Sequence, residues 1–183
     1  MLYILCALEA EVPSLRLPTN TRLVFTGVGK VNAAYVATKS VLRPDCAAIL
    51  NYGTAGTLNT KFAQQFLSVA RIRQRDIDAR PLMEIGNTPF ETGPTQGEII
   101  LQETGVTLST GDNFVKSPPI VQSDIVDMEA YAIAKVCMRE AVPFTCVKYV
   151  TDLANEDASA DWQSNVAAGQ TAFQSYLDKL EVI

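Results

Sequence analysis

The 183-residue chain carries 15 Lys and Arg against 20 Asp and Glu, a formal net charge of -5, and no histidine. Its basic residues are scattered rather than gathered into a stripe, so no nucleic-acid backbone footprint is present and a small-molecule partner suits it better. Without imidazole there is no Ser-His-Asp or Cys-His triad and no histidine-ligated metal, which leaves carboxylates to carry protons. In chain order, the apolar run Leu2 to Leu8 predicts a buried strand, and Glu9 to Leu15 a helical turn ended by the loop at Pro18. A second strand is predicted at Arg22 to Thr26. The turn Gly27-Val28-Gly29-Lys30 then leads into a helix over Val31 to Leu42, with Ala33, Ala34, Ala37 and Val41 at helical spacing, stopped by Pro44.

Ala47 to Asn51 predicts a third buried strand closing on the tight turn Gly53-Thr54-Ala55-Gly56, and Phe66 to Ile72 alternates as a strand with one wet face. Arg75 to Gln96 is rich in Pro, Gly, Thr and charge and is assigned to a loop. Strand character returns at Gly97 to Gln102 and at Val106 to Ser109. A helix follows from about Asp127 to Glu140, then a buried strand over Pro143 to Val150 and an amphipathic helix from about Ala160 to Leu180. The β-α-β-α-β order predicts one α/β domain over 1–183, with three layers and a central mixed, mainly parallel twisted sheet between helices. Cys6, Cys46, Cys137 and Cys146 are far apart, form no CxxC pair, and read as free thiols of a reducing, cytoplasmic setting. No leader pattern and no apolar run near the ~20 residues of a membrane span is present.

Chemistry concentrates in carboxylates near strand ends. Asp127-Met128-Glu129-Ala130 heads an apolar segment, while Glu11 and Asp152 follow the first and last predicted buried strands, where open α/β sheets gather ligand-binding groups. First-turn acids also complement a helix N-terminus, by roughly 0.3–1 kcal/mol each, and that alternative stays open for Glu11 and Asp127. Gly27-Val28-Gly29 lacks the third glycine of a dinucleotide fingerprint, which leaves Lys30 and Asn32 as solvated or capping residues. Gly53-Thr54-Ala55-Gly56 is either a plain β-turn or a place where backbone N–H groups approach an anion or a sugar.

Six segments taken together resemble the purine nucleoside phosphorylase and nucleosidase superfamily, and most of all its methylthioadenosine/S-adenosylhomocysteine nucleosidase branch. They are Ala7-Leu8-Glu9-Ala10-Glu11-Val12, Thr26-Gly27-Val28-Gly29-Lys30-Val31, Asn51-Tyr52-Gly53-Thr54-Ala55-Gly56, Gly111-Asp112-Asn113-Phe114-Val115, Asp127-Met128-Glu129-Ala130 and Val150-Thr151-Asp152-Leu153-Ala154. The resemblance implies a phosphorylase/hydrolase-like fold, no cofactor and no metal. It implies Glu11 acting with a water nucleophile, Glu129 binding the ribose hydroxyls over Met128, and Asp152 protonating the purine. It also implies Phe114 stacking on the base with Val115 giving main-chain contacts, and Trp162 as an aromatic lid. Leu8, Thr54, Ala55, Gly56, Asp127 and Lys148 complete the implied substrate site.

Cleaving an N-glycosidic bond leaves a cationic sugar and an anionic purine, so one group must protonate the base, a second offset the sugar's charge and a third direct water. Glu9 and Glu11 stand where a phosphorylase would place a cation, which favours hydrolysis over phosphorolysis. A phosphorylase and a catalytically weak nucleoside-binding protein are the alternatives. Three departures from the family pattern stand out. Lys148 replaces an arginine, the region between Gly56 and Gly111 is shortened, and the histidine often found there is missing. The segment 75–90, with Asp78 and Phe90, is expected near the partner's site of a homodimer. The 5′ group is left open by the shortening, with methylthioadenosine and S-adenosylhomocysteine as the default substrates.

Overall fold

The computed structural model describes residues 1–93, 97–154 and 158–180. Of the loop predicted over Arg75–Gln96, residues 94–96 lie outside the described ones. Eight strands and four α-helices are present among the described residues: β1 (Leu2–Cys6), β2 (Thr21–Phe25), α1 (Lys30–Val41), β3 (Ala48–Thr57), β4 (Phe66–Gln74), β5 (Glu98–Ile100), β6 (Val106–Thr110), β7 (Ile125–Asp127), α2 (Ala130–Arg139), β8 (Phe144–Leu153), α3 (Ala158–Asn165) and α4 (Gln170–Leu177). The strands form one mixed sheet in the order β2-β1-β3-β7-β6-β4-β5, with β8 joining β3 to β4. β3 therefore meets β1, β8 and β7 along its length, and the sheet curls so that β3, β7, β6, β4 and β8 close on one another. Parallel ladders dominate, as the element order predicts; the antiparallel ones are β3 with β7 and β4 with β5 and β8.

Alternation along β1 assigns its two faces. Tyr3 and Leu5 pack with Ala33, Ala37 and Val41 of α1 and Ile133 and Cys137 of α2, whereas Ile4 and Cys6 pack with Leu50, Tyr52, Val147, Phe173 and Leu177. Each Leu, Ile, Val or Phe among them, taken wholly out of water, contributes roughly 1.5–3 kcal/mol. Helices thus cover both faces. A third apolar cluster, including Val69, Ile72, Leu108, Ile125 and Val150, joins β4, β6, β7 and β8 to α2 through Ala134.

Three local expectations are corrected. β3 does not end at Asn51 but runs on through the predicted glycine turn, because β8 pairs with it as far as Leu153. Between Ala55 and Gly56 the register shifts: Ala55 faces Val150 and Gly56 faces Asp152, leaving Thr151 as the extra residue of a bulge. Asp127 is the last residue of a short strand, β7, and the helix begins at Ala130. The C-terminal helix is two helices, α3 and α4, separated by a turn at 166–169. Gly169 lies there against the Tyr149 ring, where a Cβ would come within 2.5 Å of that side chain and of Tyr52 Oη. Close approach at this turn seats Phe173 on Tyr52, the ring centroids 3.9 Å apart and the ring planes nearly parallel.

Candidate active site

The ends of β1, β3, β7 and β8 and the loop after β6 converge on one cleft. Glu11 sits in a 3-10 turn, Glu9–Glu11, directly after β1 and is buried. Four donors hold its carboxylate: Leu8 N–H at 3.0 Å and the Cys6 thiol at 3.1 Å on Oε2, and Thr54 N–H at 2.8 Å and the Thr54 hydroxyl at 2.9 Å on Oε1. Burial and the adjacent Glu11 charge push the Cys6 thiol up, so it stays protonated and remains a donor. Trp162 Nε1 donates to the same Thr54 hydroxyl at 2.9 Å, which ties α3 to β3.

Glu129 stands at the N-cap position of α2 and is buried; its Oε1 accepts the Gly29 N–H at 2.8 Å. Burial, followed by the neighbouring Asp127 charge, pushes Glu129 up to about 7. Asp127 has the opposite fate. Burial alone would raise it, but the Lys148 ammonium at 2.9 Å and the hydrogen bonds from Thr110 and the Ala130 N–H outweigh burial and hold it below the ordinary carboxylate range. Lys148 is in turn raised, since the charges of Asp127 and Glu129 overcome its own burial. Two adjacent acids are thereby split into a permanently ionised one and one poised near neutrality.

Asp152 lies on β8 opposite Gly56, and its Oδ1 accepts the Thr151 hydroxyl at 2.9 Å. A Cβ at position 56 would stand 2.6 Å from Asp152 Oδ2, so only glycine leaves this carboxylate its place. Phe114 and Trp162 meet edge to face, ring centroids 6.3 Å apart, and close the apolar side of the cleft.

Of the residues singled out in the sequence, Leu8, Glu11, Thr54, Ala55, Gly56, Phe114, Val115, Asp127, Met128, Glu129, Asp152 and Trp162 line this one cleft. Lys148 does not; it lies beneath, wholly buried against Asp127. Asp78 and Phe90 are also outside the lining: Asp78 holds Arg80 at 2.6 Å, and Phe90 is 90 % exposed. Lys30 is not a solvated residue but an ion-paired one, bridging Asp76 at 2.6 Å and Asp112 at 3.2 Å, while Asn32 Nδ2 bonds the Val28 carbonyl. The sequence reading missed Ala7, Val28, Arg75, Asn113 and Val126 in the lining. Arg75 left no signal there, since it stands in a polar segment full of charge.

Solved structures have this same fold. A 5′-methylthioadenosine/S-adenosylhomocysteine nucleosidase from Helicobacter pylori superposes with a TM-score of 0.82 over 98 % of each chain at 19 % identity. A futalosine hydrolase of Helicobacter pylori gives 0.81 over 97 % of this chain and 95 % of its own at 18 % identity. The Phosphorylase superfamily sequence model matches residues 103–180, and the curled sheet with its strand-end cleft defines a protein of that class. A 5′-methylthioadenosine/S-adenosylhomocysteine nucleosidase of Halalkalibacterium halodurans is 30 % identical over 166 residues, 76 % of this chain and 71 % of its own length. By that relationship the chain belongs to the family of these nucleosidases, whose chemistry is N-glycosidic bond hydrolysis.

Proposed function

We propose that this chain hydrolyses the N-glycosidic bond of a purine nucleoside, 5′-methylthioadenosine or S-adenosylhomocysteine before others, releasing free base and the ribose derivative. The observation that carries the reading is the convergence of Glu11, Glu129 and Asp152 on one cleft that Phe114 and Trp162 also line. The purine lies against the aromatic side. Asp152 donates a proton to the ring as the C1′–N9 electron pair moves into the base. Glu129, in its ionised form, holds the ribose hydroxyls and offsets the charge growing on the sugar. Glu11 orients the water that attacks C1′ and takes up its proton.

Hydrolysis rather than phosphorolysis is supported by what surrounds Glu11. Among the described residues Arg75 is the cation in the cleft lining, and its Nη groups are on four backbone carbonyls. Lys148, below the floor, is committed to Asp127. A phosphate dianion entering here would meet carboxylates. We extend the proposal to a homodimer working in the cytosol. Supporting it are the exposed apolar face of α1, where Val31 is 81 %, Tyr35 61 % and Leu42 66 % exposed, and four free cysteines that suit a reducing compartment.

The test is to incubate the protein with methylthioadenosine, S-adenosylhomocysteine, adenosine, inosine and futalosine, with and without phosphate, and to measure free base. Release without phosphate is expected from the first two. Release from none would remove the reading, and a strict phosphate requirement would reverse the assignment to water. Asp152→Asn is expected to lose nearly all turnover while keeping its circular dichroism spectrum.

A further inference from the structure

Arg75 takes no part in the chemistry above, yet its guanidinium is buried at the cleft. It follows β4 and turns inward until only 5 % of it is exposed. Nη1 donates to the carbonyls of Ser109 at 2.8 Å and Asp127 at 2.7 Å, and Nη2 to those of Gly111 at 3.0 Å and Asn113 at 2.6 Å. A buried cation ordinarily meets a carboxylate at close range. Here the direct partners are backbone oxygens, and the charges of Asp127, Asp76, Asp112 and Glu129 act on it through space.

What these carbonyls belong to gives the arrangement its meaning. Ser109 is in β6, Gly111 and Asn113 lie in the loop after it, and Asp127 ends β7. Asn113 immediately precedes Phe114, on the base side of the cleft, and Asp127 stands two residues before Glu129, on the sugar side. A guanidinium is planar with its donors in a fixed fork, so four bonds from its two terminal nitrogens set the mutual placement of the groups it touches. An ammonium, with three rotatable donors, cannot do the same.

We propose that Arg75 is a positioning residue which fixes the spacing between the ribose-holding acid and the base platform. The inference rests on the nucleoside reading of the cleft. A nucleoside touches both halves and gains only when they are in register, whereas a free base touches one. Loss of Arg75 therefore penalises nucleoside binding more than base binding, which a merely stabilising residue would not do.

Trp162 is the chain's one tryptophan and lies against Phe114, so its fluorescence reports occupancy. The experiment titrates wild type and Arg75→Lys with adenine and with a C-nucleoside analogue of adenosine, whose glycosidic carbon–carbon bond is not cleaved. Arg75→Lys is expected to weaken the C-nucleoside tenfold or more while adenine changes less than threefold. Equal losses for both ligands, or no loss for either, overturn the proposal. Should Arg75→Lys fail to fold, the wild type answers by NMR. Separately resolved, slowly exchanging Nη protons for Arg75 are expected, and one averaged signal from a freely rotating guanidinium overturns it. Wild-type binding of the C-nucleoside without base release from any nucleoside would remove the hydrolase reading alone, leaving the spacing measurable.

Discussion

Replacing Glu129 by glutamine removes a charge that the fold resists, so the variant is expected to be more stable than wild type above neutrality and nearly inactive. In the folded chain Glu129 ionises at about 7 instead of 4.5. At ~1.4 kcal/mol per pH unit this places a penalty of about 3 kcal/mol on the ionised folded state. The unfolded chain releases the proton near its ordinary value while the folded chain keeps it until about 7. The Glu129 contribution to stability is therefore undiminished below about pH 4.5, falls as pH rises to about 7, and is level beyond. In Glu129→Gln the amide oxygen can still accept the Gly29 N–H, and any cost of the new amide donors is the same at every pH. Urea denaturation of both proteins at pH 5 and pH 8 is the assay. The variant's advantage is expected to grow by about 2–3 kcal/mol between the two, or ~5–10 °C in melting temperature for a chain of this size. A stability difference that does not move with pH would show that Glu129 titrates as an ordinary surface acid. The same titration predicts that wild-type kcat/KM declines below about pH 7 as Glu129 gains its proton, and that the variant's kcat falls ~10²–10³-fold.

Lys148→Met strips Asp127 of its ion partner inside the protein, and a loss of about 3–5 kcal/mol in urea denaturation is expected; near wild-type stability would mean that Asp127 is neutral in the fold. Gly56→Ala places a methyl 2.6 Å from Asp152 Oδ2, so kcat is expected to drop at least about tenfold in a protein with an unchanged circular dichroism spectrum; unaltered kcat would show that Asp152 has room to move. Phe114→Ala removes the base platform, worth roughly 1–3 kcal/mol, and KM is expected to rise about tenfold or more with kcat changing less. An unchanged KM would place the base elsewhere.

The layer order and most elements were legible because burial of one sheet between helices writes itself into apolar runs and 3.6-residue spacing, as in Leu2–Cys6 and Ala33–Val41. Gly53-Thr54-Ala55-Gly56 misled because its composition is that of a turn. Tertiary pairing decides there: β8 supplies the hydrogen bonds, and glycine is required at position 56 by the Asp152 side chain rather than by a chain reversal. β7 is three residues long, too short to show a period, and its place between β3 and β6 depends on pairing alone. The break between α3 and α4 follows from Gly169 meeting the Tyr149 ring, a contact between distant positions that local pattern does not encode. The acids that line the cleft were legible because each follows or ends an apolar run. Arg75 was not, since a buried cation among carbonyls looks, in sequence, like any charge in a polar segment.

The extra residue Thr151 makes chain length itself a fixed quantity at one point of this molecule. Side chains alternate between sheet faces, so removing or adding a single residue across 150–152 exchanges the positions of Thr151 and Asp152 relative to Gly56. The connection from β4 to β5 carries none of the three acids, and its fixed points at the cleft are Arg75 and Asp76 at its start, bonded to the loop after β6 and to Lys30. A gap opened within 150–152 when this chain is aligned with a relative is therefore an error of alignment. A gap placed after Asp76 in the stretch between β4 and β5 leaves that register untouched.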